Sequence, residues 1–183
     1  MSVRKSTTFL LSHLFEDEIT SSEKLVEITK EYQDSLRETT YQIPTENPLE
    51  FMLAAKREKI TFGPYQNLSF FEISNRIYSD LVLLSAAKIL FEEHQIKSIL
   101  LKMSNHAGKD LIAKDKNGKS TEGEAFNTAT TFFQVKMRSE LKKFDKENAG
   151  FIAFNKTALV GNQPFFETKK QQYPNITFII CDI

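Results

Sequence analysis

The sequence predicts a mixed α/β (α+β) domain with a mixed central sheet, in which an α-β-β-β-α-β core follows a helical N-terminal extension. A capped and strongly periodic helix begins near Ser69, and three strand-like runs follow it. A helical period then resumes at Thr128 and ends before a further apolar strand. At 183 residues, the chain has the length of one domain. We expect residues 1–65 to form a mainly helical extension packed on a core at 66–183.

Composition limits the classes of function. Lys plus Arg and Asp plus Glu number 24 each, so nucleic-acid binding would need a local basic patch. The single cysteine, Cys181, excludes an internal disulfide and a cysteine metal cluster. The first residues lack the apolar stretch of a secretory signal, and no run approaches the ~20 apolar residues of a spanning helix. We therefore expect a cytoplasmic protein with no membrane partner.

The N-terminal extension contains one well-marked helix. After the serines Ser21 and Ser22, apolar residues recur at intervals of three and four, namely at Leu25, Ile28, Tyr32 and Leu36. Pro44 and Pro48 then break the chain. A short helix is predicted at Phe51 to Arg57 and a short strand at Ile60 to Phe62.

The core elements follow from capping and periodicity. Ser69 with Glu72 is a capping-box pattern, so a helix is predicted from there to about His94. Strands are predicted at 96–103, 110–115, 119–126, 151–155 and 176–181. The apolar stripe from Phe133 to Phe144 predicts a helix over about 128–148. Residues 156–175, with Gly161, Pro164 and Pro174, are predicted to be a loop.

The hairpin at 110–126 allows two registers. A two-residue turn at Asn117-Gly118 would set Asp110 opposite Ala125. A three-residue loop, with Gly118 in the left-handed conformation, would set Asp110 opposite Glu124 and Asp115 opposite Lys119. We favour the second register, because the first pairs Lys116 with Lys119.

In the favoured register Glu122 shares a face with Asp110 and Glu124, because strand side chains alternate. Converging carboxylates are costly unless a cation lies among them, and Mg²⁺ or Mn²⁺ is the usual solution. The alternative is a solvated acidic face of an antiparallel hairpin. Lys136, near the edge of the apolar face of the next helix, can reach toward this sheet. Such a lysine can orient a water and stabilise a charged transition state.

The region from about 70 to 155 resembles the PD-(D/E)XK nuclease superfamily, whose restriction-endonuclease-like core has the order αβββαβ. Gly108-Lys109-Asp110-Leu111-Ile112 is similar to the first half of its motif, and Glu122-Gly123-Glu124-Ala125-Phe126 to the second. Phe126 stands where the family usually carries its lysine. The resemblance implies that Lys136 replaces that lysine, that Glu122 and Glu124 act together as in some restriction enzymes, or that the site is inactive.

The resemblance implies a metal-dependent endonuclease that hydrolyses DNA phosphodiester bonds, with a role in restriction or phage defence. Asp110, Glu124 and Glu122 would bind Mg²⁺ or Mn²⁺, and Lys136 would position the attacking water. Phosphate contacts are expected from polar and basic residues near the site, namely Gln134, Arg138, Lys142, Asn105 and His106. A homodimer is compatible with this class. The alternative is a non-catalytic binding protein that retains the nuclease-like fold.

Overall fold

The structure is a computed structural model that describes residues 8–41, 45–103, 108–145 and 147–183. Its helices are α1 (Ser22–Arg37), α2 (Pro48–Arg57), α3 (Phe70–Glu93), α4 (Phe133–Leu141) and α5 (Gln163–Gln172). Its strands are β1 (Ile60–Phe62), β2 (Tyr65–Leu68), β3 (Ile96–Leu101), β4 (Leu111–Asp115), β5 (Ser120–Phe126), β6 (Gly150–Asn155) and β7 (Ile176–Cys181). Short 3₁₀ turns occur at Ser12–Phe15, Thr130–Phe132 and Lys156–Leu159.

A five-stranded mixed sheet organises the chain. Its strand order is β3-β4-β5-β6-β7, and β1 pairs separately with β2. Strands β3, β4 and β5 run antiparallel, whereas β6 is parallel to β5 and β7 is parallel to β6. The parallel pairs require crossovers, which contain α4 and α5. The predicted α/β class and mixed central sheet are confirmed.

The two long helices begin where the sequence predicts. At α3, Ser69 Oγ accepts a hydrogen bond from Glu72 N, and Ser69 N donates to Glu72 Oε2 at 2.8 Å. At α1, Ser21 Oγ accepts from Lys24 N. These side chains satisfy amides that the first helical turn leaves unpaired. Both predicted N-termini are therefore confirmed.

The sheet buries both of its faces. Strand β6 is buried throughout, and its residues alternate between two apolar clusters. Phe151 and Ala153 join the cluster that includes α1 and α3 residues, whereas Ile152 and Phe154 join the cluster formed with α4 and α5. This alternation places α3 and α4 on opposite faces of the sheet.

The N-terminal region also covers an edge of the sheet. Ile19 and Ile99 exchange two backbone hydrogen bonds of 2.8 Å, so residue 19 pairs with the outer side of β3. Such pairing protects backbone groups that an edge strand otherwise leaves open. The extension thus contributes both helices and backbone pairing to the sheet.

Several element boundaries differ from the prediction. Helix α5 occupies the segment predicted as a loop, and Pro164 lies at its second position, where a missing amide costs no hydrogen bond. Strand β2 was not predicted. Helix α4 is shorter than expected, because Thr128 N donates to Asn155 Oδ1 and a 3₁₀ turn precedes the helix. No helix in the described ranges is long and apolar enough to cross a lipid bilayer.

Candidate functional site

The β4–β5 hairpin adopts the three-residue register. Leu111 pairs with Gly123 and Lys114 with Ser120. At the loop, Asp115 N donates to Lys119 O, and Gly118 has a φ of 81°. One step beyond the last ladder pair, this register sets Asp110 across from Glu124. The favoured register is confirmed, including the left-handed Gly118.

Asp110 lies immediately before β4 and is fixed against β5. Its Oδ2 accepts a hydrogen bond of 2.8 Å from Ala125 N. Burial raises the pKa of Asp110 to about 6, and the nearby Glu124 carboxylate adds to this effect, whereas the Ala125 amide and Lys143 oppose it. Asp110 therefore exchanges its proton near neutral pH.

Glu124 is only 2% exposed and is neutralised by two lysines. Lys143 Nζ donates to its Oε2 at 2.8 Å, and Lys109 Nζ lies 3.5 Å from its Oε1. Lys109 is itself held by Lys143 O at 3.0 Å and by the Phe144 ring. These contacts compensate the cost of burying the carboxylate.

Glu140 extends the charged network along α4. It is 2% exposed, and its Oε1 lies 2.7 Å from Lys136 Nζ. Its Oε2 lies 2.6 Å from Lys143 Nζ, yet this buried oxygen receives no well-formed hydrogen bond from the described residues. Although burial favours the neutral acid, the ammonium groups of Lys136 and Lys143 hold the pKa of Glu140 below its usual range.

These groups surround a cavity of about 360 Å³. Its charged lining residues are Asp80, Lys102, Asp110, Glu124, Lys136, Glu140 and Lys143. An adjoining groove of about 480 Å³ shares three of them and adds Lys109 and Glu122. Acidic side chains from α3, β5 and α4 therefore meet lysines in one concave site, which is typical of functional sites.

Asp80 was missed by the sequence reasoning, although a signal for it exists. It lies on α3 at 4% exposure, in the middle of the stripe formed by Ile73, Ile77 and Leu84. A carboxylate on an apolar helix face needs a buried partner or a site. Glu72, by contrast, serves as the cap of α3 and pairs with Lys59 at 2.6 Å, as its capping-box position indicates.

The same signal was available for α4. Glu140 lies on the apolar stripe of Phe133 and Met137, but it was not among the predicted site residues. Lys143 was not among the predicted site residues either. The structure places Lys136 and Glu140 on one side of α4, and Lys143, in the turn that follows the helix, reaches back to Glu140.

The predicted third carboxylate does not join the other two. Glu122 is exposed and lines the adjoining groove. Within the ranges that the structure describes, no three Asp, Glu, His or Cys side chains are grouped so as to hold a metal ion. Phe126 is buried at 2% exposure in the α4-side cluster.

The expected phosphate-binding residues are dispersed. Gln134 donates to Asn162, and Arg138 lies over the Phe165 ring at 4.8 Å. Both point about 160° away from Lys136 around α4, at 100° per residue. Lys142 is exposed. Asn105 and His106 lie outside the described residues.

Comparison with protein-family models, with curated proteins and with solved structures found no match.

Proposed function

We propose that the chain is a metal-dependent nuclease of the PD-(D/E)XK type that hydrolyses phosphodiester bonds in DNA. The observation that carries this proposal is the convergence around one cavity of Asp110 and Glu124 from the hairpin, Lys136 from α4 and Lys143 from the turn after it. Paired carboxylates with an adjacent ammonium group suit phosphoryl chemistry, in which negative charge develops at the reacting phosphorus.

The order of elements supports the proposal. From α3 to β6 the chain runs α-β-β-β-α-β, with three antiparallel strands and a fourth parallel to the third. This is the order implied by the resemblance to the superfamily. The hairpin loop also gives the register that this resemblance requires. The proposed role in restriction or phage defence rests on the resemblance alone.

The residues present fit a hard divalent cation. Asp110 and Glu124 would hold Mg²⁺ or Mn²⁺, because Mg²⁺ is commonly bound by one or two carboxylates and otherwise keeps its waters. The cavity brings together the acids Asp80, Asp110, Glu124 and Glu140, and burial and the Glu124 carboxylate raise the pKa of Asp110, an effect that a cation among these oxygens would oppose. When bound, the cation supplies Lewis-acid activation of water and of the phosphate.

Two lysines are candidates for the role that Phe126 cannot fill. Lys136 Nζ lies 5.9 Å from the Phe126 ring centroid, so its ammonium reaches over the position where the superfamily usually has lysine. Its side chain is 45% exposed and can approach a bound phosphodiester. Lys143 is equally exposed but bridges Glu124 and Glu140. We assign water and phosphate positioning to Lys136, and neutralisation of the carboxylates to Lys143.

The direct test is cleavage of plasmid and of linear duplex DNA with Mg²⁺ or Mn²⁺. Asp110→Asn keeps an oxygen that can accept from Ala125 N, so this variant should fold, and its cleavage rate should fall by about a hundredfold or more. The matched control is Asp17→Asn, which alters an exposed acid far from Asp110 in the sequence. Equal cleavage by wild type and Asp110→Asn would contradict the proposal.

The second candidate function is a non-catalytic binding protein with the same fold. It is favoured by one observation, namely that both oxygens of Glu124 already have lysine partners. Calorimetric titration with Mn²⁺ separates the two functions. A nuclease should show a saturable site that Glu124→Gln abolishes, whereas the binding protein should show none.

A further inference from the structure

A chain of three buried polar groups connects the N-terminal helix α1 with the cavity. The hydroxyls of Tyr32 on α1 and Tyr65 on β2 lie 2.7 Å apart, and Tyr65 donates to Asp80 Oδ2 on α3 at 2.5 Å. Both tyrosines are fully buried. Three elements that are separate in sequence therefore meet in one hydrogen-bonded chain.

The donor-to-acceptor direction of these hydrogen bonds follows from the last group, Asp80. Asp80 as a carboxylate can only accept, so the Tyr65 proton points to Asp80 and Tyr65 oxygen accepts from Tyr32. Burial raises the pKa of both tyrosines above the usual range, and the negative charge of Asp80 adds to this. Both hydroxyls consequently remain protonated donors across the accessible pH range.

The series of hydrogen bonds ends at Asp80, which lines the cavity. Asp80 is 4% exposed and lines the cavity together with Asp110 and Glu124. A carboxylate this deeply buried is costly unless donors hold it, and the Tyr65 hydroxyl is such a donor. A residue outside the α3-to-β6 core thus contributes to the orientation of Asp80 at the cavity wall.

We propose that Tyr65, supported by Tyr32, is a positioning residue that holds Asp80 ready to accept hydrogen bonds from waters around the divalent cation. The inference rests on the proposed function, because it requires that cation. Mg²⁺ keeps several of its waters when bound to protein, and partners beyond the direct ligands commonly change metal affinity by about 10- to 100-fold. The N-terminal extension then forms part of the site.

The test is calorimetric titration of the full chain with Mn²⁺, comparing wild type with Tyr65→Phe. This variant keeps the ring and removes only the hydroxyl, and its affinity for Mn²⁺ should fall about tenfold. The matched control is Tyr41→Phe, which removes a hydroxyl from the aromatic cluster of Tyr41, Phe62 and Phe70. The control should bind Mn²⁺ like wild type.

A double-mutant cycle separates positioning from a general loss of structure. If Tyr65 acts through Asp80, adding Tyr65→Phe to Asp80→Asn should weaken Mn²⁺ binding no further. Additive losses of affinity would overturn the inference. Should Tyr65→Phe fail to fold, Tyr32→Phe takes its place in the cycle, with a smaller expected loss of about threefold.

The outcomes also distinguish this inference from the proposed function. Wild-type protein with no saturable Mn²⁺ site would overturn both together. Saturable binding that Asp110→Asn abolishes, but that Tyr65→Phe and Tyr32→Phe leave unchanged, would overturn the positioning role alone.

Discussion

Asp110 is a carboxyl group whose pKa is raised both by burial and by its neighbour Glu124. Its carboxyl is partly buried beside Glu124, and the pKa rises from 3.8 to about 6. Because the pKa is higher in the folded chain, the protonated form stabilises the fold below about pH 4. That contribution is lost as the pH rises through about 6. The ionised Asp110 therefore destabilises the protein at the pH where it would serve a cation.

The first prediction is that Asp110→Asn stabilises the protein at pH 8. The free energy of unfolding should rise by about 1–2 kcal/mol, allowing for partial solvent screening of the shift. Near pH 4 the difference between variant and wild type should vanish. Urea unfolding at both pH values measures this, with Asp17→Asn as the exposed control. A variant that is less stable at pH 8 would contradict the argument.

The second prediction concerns two adjacent lysines. Lys143→Met should destabilise the fold by about 2–3 kcal/mol at pH 7, because it leaves the buried Glu124 and Glu140 short of a counter-charge. Lys142→Met removes an exposed lysine at the next position and should change stability by less than about 0.5 kcal/mol. Chemical denaturation measures the free energy of unfolding of the two variants. Equal losses of stability would contradict a bridging role for Lys143.

At the scale of elements, the hairpin depends on two glycines for different reasons. Gly118 has a positive φ, and a Cβ there would meet nothing within 4 Å. Gly123 has no positive φ, but a Cβ would lie 2.8 Å from Leu111 Cγ and 3.0 Å from Phe151 Cβ. The loop glycine is needed for backbone conformation and the strand glycine for space.

The third prediction follows from this contrast. Gly118→Ala should cost about 1 kcal/mol through backbone strain alone. Gly123→Ala should cost about 2–3 kcal/mol, because Leu111 or Phe151 must move. Thermal unfolding of the two variants distinguishes the causes. A larger loss for Gly118→Ala than for Gly123→Ala would show that the loop, and not strand packing, controls this hairpin.

The elements that the sequence predicts well are those specified by local chemistry. Capping at Ser69, the left-handed Gly118 and the pairing of Asp115 with Lys119 involve residues within a few positions of one another. Helix α5 was missed because Gly161 and Pro164 were read as a loop, although proline also favours the first turn of a helix. Tertiary packing decides whether such a segment forms a loop or a helix.

At the scale of the whole molecule, the site combines residues from α3, the β4–β5 hairpin, α4 and the turn after α4, which limits what sequence can reveal. Asp110 and Glu124 were predicted because one hairpin sets their register. The positions of Asp80 and Lys143 depend on how α3 and α4 pack on opposite faces of the sheet. No local pattern specifies that packing, although a carboxylate on an apolar helix stripe indicates that a partner exists.

The fourth prediction concerns cation-linked stability. Mn²⁺ at about 100 times its Kd should raise the free energy of unfolding by about 2.7 kcal/mol at pH 8, and Tm by about 5–10 °C. The rise should disappear as the pH falls below about 6, since Asp110 then holds a proton. Removing Mn²⁺ with EDTA should reverse it. Differential scanning calorimetry with Asp110→Asn, which should show no rise at any pH, is the check.

The three-residue loop also has a consequence for the order of folding. The cross-strand pairs of a hairpin form most easily next to its loop. The pairs near Gly118 should therefore form first and the Asp110–Glu124 pair last. At that open end the two carboxylates repel each other until Lys143, in the turn after α4, pairs with Glu124. The Asp110–Glu124 end of the hairpin should therefore remain unpaired in the folding transition state and form only when the crossover helix packs on the sheet.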